Sequence, residues 1–83
     1  MSTFRLEVIS KTGIIFDDQC TQAVVPCVEG EIGFMAGHEM MVSVLREGKV
    51  RILGDNDKVI EEIDIKGGYA EMRSNDELVV LVD

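Results

Sequence analysis

Short runs in which apolar and polar residues take turns, each cut off by a turn-forming residue, constrain this chain more than any other feature. A period of two sends successive side chains to opposite faces of a strand, so each run can bury one face and leave the other in water. Phe4, Leu6 and Val8 alternate with Arg5 and Glu7, and Lys11-Thr12-Gly13 then supplies a turn. Ile14-Ile15-Phe16 resumes a strand that Asp17-Asp18 is expected to end. Gln19 to Val25 reads as a third strand, closed by Pro26, which cannot donate to a ladder. Residues Glu29 to His38, with Gly30, Gly33 and Gly37, show no clean period and read as the longest loop.

The second half continues the rhythm. Met40 to Leu45 fits helical spacing through Met41, Val44 and Leu45, while its valines favour a strand. Lys49 to Ile52 alternates, Gly54-Asp55-Asn56-Asp57 is a hairpin turn, and Val59 to Ile65 returns with Ile63 and Ile65 inward. The register slips near Ile60, Glu61 and Glu62, which predicts a bulge. After Gly67-Gly68, Tyr69 to Arg73 forms a strand, Ser74-Asn75-Asp76 turns, and Leu78 to Val82 is apolar on both faces. Many short strands without a confident helix predict an all-β sandwich or barrel. At 83 residues there is room for one domain, 1–83, and one core.

Composition narrows the function classes. Sixteen acidic against eight basic residues give a net charge of −8, which repels nucleic-acid phosphates and anionic lipid and favours partners with basic patches. No apolar run approaches the ~18 residues of a membrane-spanning helix, and no basic stretch leads into an apolar one as in a signal peptide. The expectation is a soluble globular domain without direct membrane insertion.

Candidate chemistry is thin. His38 with Cys20 or Cys27 supplies the residue types of a base and a nucleophile, but no nucleophile context surrounds either thiol. Cys20, Cys27, His38 and Glu31 are four potential zinc ligands, yet six residues separate the cysteines where zinc sites favour close pairs. Neither catalysis, nor a metal, nor a cofactor is expected. A phosphate cradle at Glu29-Gly30-Glu31-Ile32-Gly33 has the glycines, but its two carboxylates would repel the anion. Free cysteines among strand residues are ordinarily packed, reduced thiols. Phe34, Met35, Met40 and Met41 read either as core filling or as an adaptable contact surface. From residue chemistry alone, the chain is a small acidic β domain of the binding-module kind.

The stretch Val25-Pro26-Cys27-Val28-Glu29-Gly30-Glu31-Ile32-Gly33-Phe34-Met35-Ala36-Gly37-His38 carries a resemblance. A Val-Pro-x-x-x-Gly-Glu-Ile-Gly run followed at fixed distance by Gly-His resembles the N-terminal domain of the epsilon subunit of F-type ATP synthases. The likeness continues through Leu45, Gly48, Val50-Arg51-Ile52, Gly67-Gly68-Tyr69, Glu71 and the closing Leu78 to Asp83, and so covers essentially the whole chain. Ala36 and Met40 stand where the family often has proline, and Cys27 where it commonly has glycine; fewer prolines loosen a loop.

The resemblance implies a flattened two-sheet antiparallel β-sandwich and a noncatalytic place in the central rotor stalk. There the domain would join the gamma subunit to the polar loops of the membrane c-ring, at the cytoplasmic face of the bacterial inner membrane, and help couple ion flow to ATP synthesis. It implies a c-ring-facing loop of Glu29, Gly30, Glu31, Ile32, Gly33 and Phe34, with the Glu31 carboxylate suited to basic side chains. It implies a gamma-facing segment of Gly37, His38, Met40, Met41 and Val42. Relatives continue into a C-terminal helical hairpin, and no ATP-sensing role is carried over to a sequence that stops at Asp83. The contrasting expectation is a free-standing acidic β-sandwich protein-binding module, which would share the strand pattern by fold alone.

Overall fold

The computed structural model describes residues 2–73 and 76–83. Among them nine strands follow in chain order: β1 (Phe4–Ser10), β2 (Gly13–Cys20), β3 (Gln22–Cys27), β4 (Gly30–Phe34), β5 (Met41–Leu45), β6 (Gly48–Leu53), β7 (Val59–Ile65), β8 (Gly68–Arg73) and β9 (Glu77–Val82). They form one curled sheet in the order β2-β1-β9-β8-β5-β3-β6-β7, with β4 on β3. The join between β5 and β3 is the single pair Cys27↔Leu45. At that narrow seam the sheet folds over into a sandwich: a first layer of β2-β1-β9-β8-β5 and a second of β7-β6-β3-β4.

All pairings are antiparallel except β1 with β9, which run parallel. A parallel pair needs a long crossover, and here the whole chain between the first and last strands supplies it. The all-β sandwich expected from the alternation is borne out, with this one parallel pair in its first layer.

Inward side chains of both layers make one core. Phe4, Leu6 and Val8 of β1, Val25 of β3, Phe34 of β4, Ile52 of β6, Met72 of β8 and Leu78 and Val80 of β9 are all fully buried. Phe16, Ile32, Met41 and Ile63 pack against its margin.

Several boundaries differ from the sequence reading. β2 runs on through Asp17 and Asp18 to Cys20, because an edge strand keeps its outward charges in water and Arg5 on β1 clasps Asp17 through two bonds of 3.0 and 3.1 Å. β3 passes through Pro26 to Cys27. The Pro26 carbonyl accepts from the Arg46 N–H at 2.9 Å, so its nitrogen faces the side where pairing with β6 has already stopped at Val24↔Arg51. No ladder bond is lost there. Gly30–Phe34 is a strand, not a loop: it pairs with β3 throughout, and its glycines had hidden an alternation that buries Phe34. Met41–Leu45 is a strand, with Leu45 inward and Val42 and Val44 outward.

The predicted bulge exists. Ile52 faces Glu61 while Leu53 faces Val59, which leaves Ile60 as the extra residue. The β6–β7 connection is a 3-10 turn at Asp55–Asp57, with Asn56 and Asp57 at positive φ, a region these two residue types tolerate. Gly68 is required on steric grounds: at φ 139° its missing Cβ would collide with the Leu81 carbonyl of β9. Of the expected turn at Ser74-Asn75-Asp76, the first two residues lie outside the described residues.

Candidate functional site

Each layer has an outer face, and the two are built differently. On the first layer, register aligns one residue from each of five strands: Ile14 of β2 opposite Ile9 of β1, Ile9 beside Leu81 of β9, Leu81 opposite Tyr69 of β8, and Tyr69 opposite Val44 of β5. Ile14, Leu81, Tyr69 and Val44 are exposed, and Val42, two residues before Val44 on the same face, is 66% exposed. The result is an apolar row across the whole layer. One step further along, Val79 lies between Glu7 and Glu71 and is buried. Further still, Arg5 sits among Asp17, Glu77 and Glu7. Its hydrogen bonds to Asp17 hold that carboxyl below the usual aspartate range.

The second layer carries charge pairs instead. Arg51 of β6 lies opposite Glu62 of β7 and reaches Glu31 of β4 at 3.6 Å. Lys49 bonds Asp64 at 2.8 Å, which raises the lysine's pKa. Glu31 itself keeps about half of its side chain exposed (52%).

The stretch singled out in the sequence forms β4, on the second layer, and the loop that leaves it. Glu29, Glu31 and Gly33 are exposed, Gly30 and Ile32 are half-buried, and Phe34 is fully buried. Phe34 is therefore corrected from a surface contact to a core residue, as alternation along β4 requires. Its ring meets the His38 ring with centroids 4.8 Å apart. The loop that follows turns on itself: the His38 N–H donates to the Met35 carbonyl at 3.1 Å, and His38 Nδ1 lies 2.9 Å from the Glu39 carbonyl. Gly37, at φ 84°, donates its N–H to Asp76 Oδ1 at 2.9 Å. Met35 and Met40 project into solvent, while Met41 is half-buried.

The residue types considered for catalysis or metal binding are not gathered. No group of three or more His, Cys, Asp or Glu side chains placed to hold a metal occurs among the described residues. Cys20 and Cys27 are buried free thiols. Burial pushes Cys20 up to about 11 and raises Cys27 as well, so both are held away from the reactive thiolate. Surface depressions, such as that lined by Thr3, Phe4, Arg5, Gln19, Asp76 and Glu77, lie open to solvent.

The sequence reading missed the row Ile14, Ile9, Leu81, Tyr69 and Val44, since cross-strand neighbours appear only once register is known. It also missed Arg51 as the counter-ion of Glu31. The available signal was the apolar outward positions of β5 and β9, Val42, Val44, Val79 and Leu81, with Tyr69 beside them on β8.

Fold and surfaces together define a small two-layer β-sandwich that offers contact faces. The family model for the beta-sandwich domain of the ATP synthase delta/epsilon chain matches residues 3–83. The chain belongs to that family. It is 36% identical over all 83 residues to the ATP synthase epsilon chain of Campylobacter fetus, spanning 63% of that relative. It is 40% identical over 83 residues to that of Caldicellulosiruptor saccharolyticus, spanning 58% of it. With the epsilon chain of Alkaliphilus oremlandii it shares 37% identity over 73 residues, 88% of this chain and 53% of that one. The chain thus spans between 53% and 63% of the length of these relatives. Its fold matches a chain of the Euglena gracilis mitochondrial ATP synthase (OSCP/F1/c-ring) with a TM-score of 0.88 and 22% identity, over 99% of this chain and 51% of that one. It also matches a chain of the Tetrahymena thermophila mitochondrial ATP synthase central stalk and c-ring, with a TM-score of 0.77 and 11% identity over 98% of this chain and 63% of that one.

Proposed function

We propose that this chain is the β-sandwich of a noncatalytic central-stalk subunit of an F-type ATP synthase, joining the gamma subunit to the c-ring. The observation that carries the reading is the identity to epsilon chains along the full 83 residues. Residues 1–83 act as a single unit whose role is mechanical. A sandwich packed at interior density is stiff, and stiffness is what passing rotation from a ring to a shaft demands. Buried thiols that resist deprotonation and a histidine engaged by Phe34 and Glu39 support a subunit without chemistry of its own.

The c-ring contact falls to Glu29, Gly30, Glu31, Ile32 and Gly33, with Glu31 exchanging its exposed bond to Arg51 for basic groups of the ring. An exposed ion pair is worth only about 0–1 kcal/mol, so this exchange is easy. The gamma contact falls to Gly37, His38, Met40, Met41 and Val42. From Val42 it continues into the apolar row through Val44, Tyr69 and Leu81, which share its face. Exposed contiguous apolar surface of this kind marks interaction sites. No helix among the described residues is long and apolar enough to cross a membrane. The subunit is peripheral, at the cytoplasmic face of the bacterial inner membrane.

The test is calorimetric titration of the chain into purified gamma from the same source. One-to-one saturable binding, weakened by Met40→Ala and Val42→Ala, is the expected result. Absence of heat at micromolar concentrations, with both proteins folded, would overturn the gamma contact.

A further inference from the structure

We propose that Asp76 is a positioning residue for the loop spanning residues 35–40, its carboxylate holding the turn that presents His38 and Met40 to the partner. The inference rests on the reading of that loop as part of the gamma contact. Among the described residues, the Asp76 Oδ1 to Gly37 N–H bond, 2.9 Å long and linking positions 39 residues apart, is the one that reaches this loop from a distant part of the chain. The loop's other bonds are local, from His38 to Met35 and Glu39. They shape the turn but do not fix where it points.

Asp76 is itself held in place. Its carbonyl accepts the Arg5 N–H at 3.0 Å, which ties it to β1. Its backbone takes φ 53°, a conformation that aspartate, asparagine and glycine adopt with least strain. The path therefore runs from the rigid first layer through the Asp76 backbone, and from its side chain to the Gly37 amide. Gly37 at positive φ turns that amide outward from the loop, where a carboxylate can reach it. The bond is charge-assisted, the stronger class of hydrogen bond. At the next residue, the His38 ring packs against the buried Phe34 ring. With Gly37 and His38 held at the middle of the loop, Met40 projects from a preset frame, and binding need not order the turn at the moment of contact.

Two substitutions keep the backbone conformation and separate the side chain's role from the fold. Asp76→Gly deletes the acceptor, and Asp76→Asn keeps an oxygen in its place. The readouts are amide exchange at Gly37 and His38 by NMR, melting temperature, and calorimetric affinity for gamma. In Asp76→Gly, exchange at Gly37 is expected to quicken about tenfold while core amides such as Val25 and Val80 stay protected, and gamma binding is expected to weaken about three- to tenfold. Asp76→Asn is expected to restore most of both. Unchanged Gly37 exchange in Asp76→Gly, or a loss in Asp76→Asn equal to that in Asp76→Gly, overturns the proposal. So does quickened exchange with unchanged gamma affinity in a chain where Met40→Ala does weaken binding. If His38→Ala and Met40→Ala both bind gamma as the unaltered chain does, the gamma contact itself fails. The exchange data then decide the latch alone.

Discussion

The two outer faces of the sandwich obey the same alternation and spend it on opposite residue types. On the second layer, Arg51 stands between Glu31 and Glu62, and Lys49 bonds Asp64, as solvated strand surfaces usually do. On the first, Val44, Tyr69, Leu81, Ile9 and Ile14 line up across five strands. Fold stability does not account for the difference. Cross-strand pairs of either kind contribute about 0.2–1 kcal/mol each, so the sheet is nearly indifferent between them. Water is not indifferent: leaving large apolar side chains such as Tyr69 and Leu81 about half exposed forgoes burial worth about 25 cal/mol per Å2. Under the proposed function, the face that keeps such a row is the one gamma covers, and the charged face is the one that meets the c-ring through water and ions.

The comparison depends first on which side of β4 faces in. Phe34→Ala is expected to cost about 3–5 kcal/mol of folding stability, measured by urea denaturation, because a fully buried ring leaves a cavity. A loss within the ~0.5 kcal/mol usual for surface changes would return Phe34 to the contact surface and undo the division of faces. Next in size is the apolar row. Leu81→Asp is expected to weaken gamma binding by about 2 kcal/mol or more, some thirtyfold, while shifting the denaturation midpoint little. Equal weakening by Glu62→Gln on the other layer would show that the row has no special part in the contact.

A smaller effect tests the charged face. Glu31→Gln is expected to weaken association with c-ring assemblies only a few-fold at low salt, and to remove most of its salt dependence, because exposed charges act through a screened field. Persistence of the full salt dependence in Glu31→Gln would assign the contact to other acids, Glu29 first among them.

Legibility in the sequence followed the same division. Alternation exposed β1, β6 and β8 directly, and the valines of 41–45 pointed to β5, since the pattern there is written in side chains. It failed at Gly30–Phe34, where two glycines leave only Ile32 and Phe34 to carry a period, and at Asp17-Asp18, where an edge strand tolerates the charges that usually mark a turn. Motif residues such as Glu31, Gly37 and His38 were visible because their spacing is local. The apolar row, the Glu31–Arg51 pair and the Gly37–Asp76 bond were not, because each joins residues that only strand register and loop closure bring together. Contact surfaces on sheets are long-range objects, and a single sequence shows their parts without their neighbours.

The least of the expected effects concerns the charged end of the first layer, where the contrast between faces weakens. Arg5 holds Asp17 below the ordinary aspartate range, chiefly through its hydrogen bonds. Above the unfolded value of about 4 both states are ionised, and the pair's contribution is fully present. As pH falls below that value the unfolded chain takes up a proton that the folded chain refuses, so stability declines until pH has passed through the lowered folded value. Both partners are exposed, so the slope is shallow. Urea midpoints taken from neutral pH down toward pH 2 should show a gentler acid decline in Asp17→Asn than in the unaltered chain. An identical decline would mean that Arg5 is shared evenly with Glu7 and Glu77, and that this end of the layer is a diffuse charge cluster with no defined pair.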